Sequence, residues 1–226
     1  LQKIARLVDT VEAEIQVGCP KDILAACELF AKYRGQWLKV AGLEKAEILE
    51  AGIAGRPLRE PEVVAEFGAF IGYTAVRLGA AVQSRATIGV ISLEVSPVHV
   101  CVSRHMLDLG WLSQVCEVKA GQAKDALPRL VEEFGGQSAG FCFMDHRGTI
   151  FHQDFGLLEK HDLFARRARF VADNTLNPGA PVFLWERLHQ ARPAEGPGKG
   201  VVTRCMSLTE FLAEHEDWTS VSDRDL

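Results

Sequence analysis

The 226-residue sequence lacks the features that mark several special protein classes. Its six cysteines form no CxxC pair and no metal-knuckle spacing, and Gly and Pro are not enriched, which excludes disulfide scaffolds, fibrous chains and disordered chains. No apolar run approaches the roughly 18 residues that span a bilayer, and the N-terminus has no signal-peptide pattern. Scattered cysteines, several of them in apolar runs, predict a reducing intracellular compartment, cytoplasmic or organellar.

Excess positive charge is also lacking. The 25 Lys and Arg residues are outnumbered by 30 Asp and Glu residues, and the formal net charge is −5. With no long basic run, we expect no nucleic-acid partner. The largest basic cluster, Arg166, Arg167 and Arg169, is short and is interpreted as a solvated helix end. Because the chain begins at Leu1 rather than Met, we expect a processed chain or a piece of a longer protein.

The first 60 residues carry helical patterns and no strand pattern. Apolar residues recur at three- and four-residue spacing from Ile4 to Ile15, which predicts an amphipathic helix. Further helices are predicted over Lys21–Tyr33 and Leu43–Ala54, the latter ending before Gly55. We therefore expect residues 1–60 to form a helical cap that covers the functional site, and residues 61–226 to form the main domain of a single structural unit.

From Glu62 onward, short apolar runs rich in β-forming residues alternate with helical segments. This alternation predicts an α/β fold with a doubly wound, mostly parallel sheet and helices on both faces. After Asn174 we expect a helix near Val182–Gln190, a loop over Arg192–Gly200 and an antiparallel C-terminal hairpin. The predicted strands before that point are Val63–Phe67, Thr87–Leu93, Val115–Val118, Gly140–Met144 and Phe170–Ala172.

The turn after the first predicted strand is rich in glycine. Residues 66–74 read EFGAFIGYT, and such glycines let the backbone approach a ligand, while the following helix N-terminus favours an anionic group. Glu94 ends the second strand, where an acid can accept both hydroxyls of a ribose. The spacing of the glycine turn and Glu94 indicates an adenosine-containing ligand, and the alternative that stays open is an ordinary loop. The glycines do not fit GxGxxG, so a dehydrogenase is poorly supported.

Oxygen-bearing side chains follow two more strands. Asp145 follows the fourth strand, and Asp173 and Asn174 follow the fifth. The carboxyl ends of neighbouring strands converge on one crevice in such a sheet. Two carboxylates and an amide oxygen suit Mg²⁺. The alternative is that both aspartates cap loops or helices.

These residues also carry a family resemblance. The segments EFGAFIGYTAVR, SLEVSP, FMDH, LLEK and ADN…PG.P occur in the same order as in catechol O-methyltransferase, and the similarity covers roughly Trp37 to Pro181. The resemblance implies a seven-stranded Rossmann-like sheet. It also implies methyl transfer from S-adenosylmethionine to one hydroxyl of a Mg²⁺-chelated catechol.

Residue by residue, the resemblance implies three sets of positions. Lys45 also matches a family lysine, whose role stays open. The cofactor set is Ala41, Glu66, Gly68, Thr74, Glu94, Val95, Ala123, Lys124, Asp145, His146 and Arg147. The metal set is Asp145, Asp173 and Asn174. The substrate set is Trp37, Lys39, Asn174 and Pro178.

The chain departs from the family at the catalytic centre. The family has Trp-Lys after its Asp-His, and that lysine is the general base, whereas this chain has Arg147 and Gly148. Phe70 replaces a tyrosine. Glu216 is the nearest candidate for the family's substrate-binding glutamate. Stand-in bases are His146, His152 and Lys39, each with the alternative of a cofactor wall or a surface residue.

Two functions from different classes therefore stay open. The first is a Mg²⁺-dependent O-methyltransferase acting on a catechol-like small molecule, slowed by loss of a base that typically contributes about 10²–10⁴-fold. The second is a catalytically degenerate methyltransferase fold that serves as a binding or assembly subunit with a protein partner.

Overall fold

The computed structural model describes residues 1–56, 58–85, 89–190, 201–212 and 215–224. Within these residues it contains eight α-helices and one seven-stranded sheet. The helices are α1 Gln2–Glu14, α2 Pro20–Tyr33, α3 Glu44–Ala54, α4 Tyr73–Val82, α5 Pro97–Leu109, α6 Ala123–Phe134, α7 Phe151–Lys160 and α8 Pro181–Gln190. The strands are β1 Val63–Phe67, β2 Val90–Glu94, β3 Cys116–Ala120, β4 Ala139–Met144, β5 Phe164–Ala172, β6 Val201–Thr209 and β7 Glu216–Arg224.

The sheet has the strand order β3-β2-β1-β4-β5-β7-β6. The first five strands run parallel, and β7 pairs antiparallel with both β5 and β6. This confirms the predicted doubly wound sheet with its antiparallel C-terminal hairpin and N-terminal helices. In the register, Phe67 lies opposite Leu93 on β2 and Met144 on β4, so these strands end at one edge of the sheet.

Most predicted elements lie within a few residues of the observed ones, and β5 is the main exception. It begins at Phe164, six residues before the predicted start at Phe170. The exposed Arg166 and Arg167 interrupt the apolar pattern there, so the first half of the strand does not look like a buried one. The basic cluster therefore lies in a strand, and its interpretation as a helix end was wrong. The predicted loop over 192–200 lies outside the described residues.

Helices cover both faces of the sheet with two separate apolar clusters. One cluster joins α1–α5 to the sheet and includes Leu7, Ile23 and Val76. The other joins α6–α8 to the opposite face and includes Phe155 and Phe183. Strands β1, β2 and β4 are buried along their whole length because both of their faces are covered.

Gly72 shows why the turn before α4 requires glycine. Its φ is +86°, and a Cβ there would lie 2.8 Å from Ser103 Cα. Both the left-handed conformation and the close packing of α5 exclude a side chain.

We expect Gly72→Ala to lower the free energy of unfolding by about 1–3 kcal/mol, since it adds backbone strain and overpacking. Urea denaturation measures the change. Gly156→Ala is the matched control. Gly156 lies inside α7 with open space around its Cα, so the change raises stability by about 0.5–1 kcal/mol. Equal effects of the two substitutions would contradict the inference that the turn before α4 requires glycine at position 72.

Candidate active site

A cleft of about 690 Å³ opens at the carboxyl ends of β1, β2 and β4. It brings together residues that are far apart in sequence but follow neighbouring strand ends, as expected of an open α/β sheet. Predicted cofactor residues that line it are Gly68, Glu94, Val95, Ala123, Lys124, Asp145, His146 and Arg147. The other three, Ala41, Glu66 and Thr74, are buried and are not among its lining residues.

Gly68 allows the end of β1 to pass directly against the end of β4. Its φ is +101°, and a Cβ there would lie 2.9 Å from the Asp145 carbonyl oxygen. The Asp145 backbone N–H donates to the Phe67 carbonyl over 3.0 Å, which closes the two strand ends together. A side chain at Gly68 would separate them and displace Asp145.

Glu94 is held at the edge of the cleft by backbone donors. One carboxylate oxygen accepts from the Phe70 N–H and the other from the Ser96 N–H, each at 2.8 Å. His99 Nδ1 lies 3.6 Å from the same carboxylate. Because each carboxylate oxygen has two lone pairs, this fixed group can still accept ligand hydroxyls.

Glu66 is fully buried beside Glu94. The Ser92 hydroxyl donates to one of its oxygens, and Glu66 Oε1 has no hydrogen-bond partner among the described residues. Burial raises the pKa of Glu66 to about 8; the bond from Ser92 opposes that rise, and the charge of Glu94 adds to it. A buried acceptor without a partner is costly, so this carboxyl suits a ligand that brings a donor or a positive charge.

His146 forms an aromatic wall of the cleft. Its ring lies between Phe67 and Phe151, with centroid separations of 5.6 and 4.8 Å. Its Nε2 lies 2.7 Å from Asp154 Oδ2, which fixes the ring, while Nδ1 is buried and has no hydrogen-bond partner in the described part of the chain. These contacts favour the cofactor-wall alternative, and a proton-accepting role stays untested.

The ammonium of Lys45, at the start of α3, lies within a buried cluster of carboxylates. Its Nζ is 2.7 Å from Glu210, 3.0 Å from Asp173 and 3.2 Å from Asp217. Each of these side chains is at most 8% exposed. Burial opposes the charge on Lys45, but the neighbouring carboxylates outweigh it and raise the pKa above its ordinary value. This direction of the pKa shift favours the ammonium form of Lys45.

The predicted metal residues adjoin this cluster. Asp173 Oδ1 accepts from Thr219 and from the Asn174 N–H, each at 2.8 Å, while its other oxygen pairs with Lys45. The Asn174 side-chain amide donates to Asp217 over 2.7 Å, which orients its oxygen away from that contact. Burial and then the charge of Asp173 raise the pKa of Asp145 well above its ordinary value. Burial also raises the pKa of Asp173, although Lys45 opposes it.

The donor chemistry of this set fits a hard divalent cation. Among the described residues, no three His, Cys, Asp or Glu side chains form a group that could hold a metal, and the predicted set contains only two carboxylates plus an amide oxygen. Asp145 has no hydrogen bond from another side chain within those residues, and four carboxylates face the single charge of Lys45. The four carboxylates are Asp145, Asp173, Glu210 and Asp217. A second cation would relieve their repulsion.

The predicted substrate residues are not all in one cavity. Trp37 lines a separate cavity of about 570 Å³ with Phe70 and His99, and this cavity includes neither Asn174 nor Pro178. Phe70 lines both this cavity and the main cleft. Lys39 and Pro178 are exposed. The substrate set therefore stays a prediction.

Near the C-terminus, Glu210 rather than Glu216 belongs to the buried cluster around Lys45, and the assignment of Glu216 to substrate binding stays a prediction. Glu216 is exposed, and its carboxylate accepts from Ser207 and the Trp218 indole. Side chains alternate along a strand, so the next residue, Asp217, is buried and reaches Lys45. Sequence reasoning missed Glu210 and Asp217. The acidic run EHED at residues 214–217 indicated acids near the site, but it did not indicate that Asp217 is the buried one.

Gly148 has no space for a side chain. It is buried, and a Cβ there would lie 2.5 Å from the Gly179 carbonyl oxygen and 3.4 Å from Ala180 Cβ. A longer side chain at this position would therefore require the backbone around Gly179 to move.

Comparison with known proteins finds similar sequences and similar folds. The chain is 29% identical over 182 residues to mouse catechol O-methyltransferase, covering 80% of this chain and 66% of that protein. The fold matches a Bacillus cereus O-methyltransferase solved with S-adenosylhomocysteine, with a TM-score of 0.66, 19% identity and coverage of 96% and 91%. It also matches a Streptomyces achromogenes O-methyltransferase solved with S-adenosylmethionine, with a TM-score of 0.67, 18% identity and coverage of 90% and 89%.

These matches confirm the resemblance to catechol O-methyltransferase and the Rossmann-like methyltransferase fold. The chain spans about two thirds of the length of the curated relatives it matches. No protein-family profile matches it. Within the part of the chain that the structure describes, no helix has the length and apolarity needed to cross a membrane.

We expect Lys45→Met to lower the free energy of unfolding by about 3–5 kcal/mol, because it leaves buried carboxylates without their cation. Urea denaturation measures the loss. Lys21→Met, at an exposed position of α2, is the control and changes stability by no more than about 0.5 kcal/mol. Adding Asp217→Asn to Lys45→Met recovers part of the loss. A loss below about 1 kcal/mol would show that the cluster does not depend on Lys45.

We expect Gly148→Lys to destabilise the protein rather than to restore a base. Overpacking against Gly179 costs about 1–3 kcal/mol, so thermal melts shift downward and methyl transfer does not rise. Thr149→Lys introduces the same side chain at the exposed neighbouring position and leaves the melting temperature unchanged. A stable Gly148→Lys variant with raised turnover would refute this steric account.

Proposed function

We propose that this chain is an S-adenosylmethionine-dependent O-methyltransferase that acts on a catechol-like small molecule chelated to Mg²⁺. The observation that carries the proposal is the single cleft at the strand ends. It is lined by eight predicted cofactor positions and lies beside the predicted metal residues. Relatives named catechol O-methyltransferase support the same reaction.

Each part of the cleft suits one part of the cofactor. Glu94 accepts the ribose hydroxyls, since its carboxylate is already fixed by two backbone donors. Ala123 and Lys124 lie near the adenine at the start of α6. Gly68 lines the cleft, and Glu66 and Thr74 are buried behind its lining. These three are proposed to receive the methionine end, where the ligand's ammonium would pair with the unpartnered Glu66 oxygen.

Asp145, Asp173 and Asn174 would hold Mg²⁺, which acidifies a bound hydroxyl when present. Lys45 keeps Asp173 in position and neutralises part of the negative charge around it. Trp37, Lys39 and Pro178 are proposed to bound the acceptor. Residues 1–60 are proposed to cover the site, and free cysteines suit a reducing intracellular compartment.

The second candidate is a catalytically degenerate methyltransferase fold that binds a partner protein. One observation favours it. Gly148 replaces the family's base, and its packing against the Gly179 carbonyl leaves no space for one.

Two experiments test the proposal. The first is calorimetric titration with S-adenosylmethionine, with and without Mg²⁺. The second is an assay of S-adenosylhomocysteine formation with a panel of catechols as methyl acceptors. Micromolar binding and Mg²⁺-dependent release support the enzyme. Binding without release from any catechol supports the degenerate alternative, and no binding overturns the cofactor assignment.

Glu94→Gln locates the binding in the cleft. It weakens S-adenosylmethionine binding about 10- to 100-fold, because a hydrogen bond to a charged group contributes about 1.5–3 kcal/mol. Glu132→Gln, on the exposed face of α6, leaves the affinity unchanged. Equal affinities for both variants would place the ligand elsewhere.

We expect S-adenosylmethionine affinity to rise between pH 6 and pH 8. The pKa of Glu66 is about 8 in the free protein, so at pH 6 the carboxyl must lose its proton to pair with the ligand's ammonium. The rise is at most about tenfold per pH unit for one linked proton. Calorimetric titration of Glu66→Gln gives a flat profile and weaker binding.

The free protein shows the opposite trend in stability. Folding raises the pKa of Glu66 from its ordinary value of 4.5. The contribution of Glu66 to the free energy of unfolding therefore falls as pH rises from about 4.5 to about 8. The melting temperature of Glu66→Gln is therefore higher than that of the parent protein at pH 8 and equal to it near pH 4.5. A pH-independent difference would exclude this titration.

A further inference from the structure

A second cavity lies at the opposite edge of the sheet, where the parallel strands begin. It measures about 530 Å³ and is bordered by residues just before β1 and β4 and within the first half of β5. Four of the lining residues are arginines, namely Arg56, Arg59, Arg166 and Arg167. The rest of the lining includes Glu60, Glu62 and Gln137.

Arg56 is a fixed structural element of this cavity. It is buried and bonds to both carboxylate oxygens of Glu62, at 2.6 and 3.0 Å. It also donates to the backbone carbonyls of Arg167 at 2.5 Å and Arg166 at 2.8 Å. Gly140 on β4 makes room for this pair, since a Cβ there would lie 2.7 Å from each partner. The Arg56 guanidinium is thus paired with Glu62 and bound to the β5 backbone.

The segment of β5 that Arg56 holds is irregular. Phe164 lies opposite Ala139 and Arg169 lies opposite Phe141, so β5 advances five residues while β4 advances two. Arg167 has a φ of +58°, which is uncommon for a residue with a side chain. Adjacent residues of a regular strand face opposite sides. Here the bulge brings both Arg166 and Arg167 to the same cavity.

The remaining guanidinium groups are unneutralised. Arg59, Arg166 and Arg167 are exposed, and none has an ion pair within the described part of the chain. Glu60 is the remaining acid of the lining, since Glu62 is already paired with Arg56. This concentration of positive charge is notable in a chain of net charge −5, and it is unlike the acidic cluster at the other edge.

We propose that this cavity binds a small anion bearing phosphate groups. Guanidinium groups pair bidentately with phosphate oxygens, and three of them around one cavity match a ligand with several negative charges. The volume lies within the range of about 300–1,000 Å³ of small-molecule sites. A monocarboxylate would neutralise only one of the three groups. The cavity is separate from the active-site cleft, because β1 separates them by about four residue steps of roughly 3.3 Å.

Calorimetric titration with inorganic pyrophosphate at constant ionic strength tests the proposal. We expect one site per chain with a dissociation constant below about 100 µM, or about −5.5 kcal/mol. Combined replacement of Arg59, Arg166 and Arg167 by Gln weakens binding at least tenfold. Arg6, Arg129 and Arg204 are likewise exposed, and their combined replacement by Gln removes the same charge elsewhere and leaves binding intact.

Several outcomes would overturn the proposal. These are no binding of pyrophosphate to the parent protein, equal weakening by both triple variants, or binding only of an RNA oligonucleotide or an acidic peptide. If the first triple variant does not fold, Arg59→Gln alone, at a position outside any strand, is compared with Arg129→Gln by the same titration.

Discussion

The buried ion cluster around Lys45 is the interaction on which the arrangement of the site depends. Lys45 belongs to α3, Asp173 follows β5, Glu210 follows β6, and Asp217 belongs to β7. One ammonium therefore connects the N-terminal helices, the central sheet and the C-terminal hairpin at the carboxyl edge of the parallel strands. A buried cation with several carboxylates is favourable only when its geometry is complete, which explains why each acid carries further hydrogen bonds, as Asp173 does from Thr219. The same geometry fixes Asn174 through Asp217.

Much of the fold could be predicted from the sequence because buried parallel strands are continuous apolar runs, as in Val63–Phe67 and Gly140–Met144. The positions of Glu94, Asp145 and Asp173 followed from the rule that such strands end at one edge. Contacts made across long sequence distances could not be predicted in the same way. Glu210 and Asp217 reach Lys45 because β7 of the C-terminal hairpin pairs with β5. The local sequence pattern contains no information about this strand pairing.

The positions at which the sequence differs from the family pattern are also easier to interpret with the structure. The resemblance implies a lysine at position 148, and the structure shows that the carbonyl oxygen of Gly179 leaves no space for a side chain there. His146 is adjacent, yet its contacts with Phe67, Phe151 and Asp154 hold it as part of the wall. The polar side chains of the cleft whose positions are fixed by hydrogen bonds are therefore mainly carboxylates, such as Glu94.

The division of the apolar core has a consequence for how the protein unfolds. Helices α1–α3 share one apolar cluster with α4 and α5. Residues that precede the first strand therefore help to cover one face of the sheet. Detaching them would expose Val64 and Phe141 to water together with the helices' own apolar faces. Loss of these helices would therefore remove the barrier to solvent that lets the central strands be apolar on both sides.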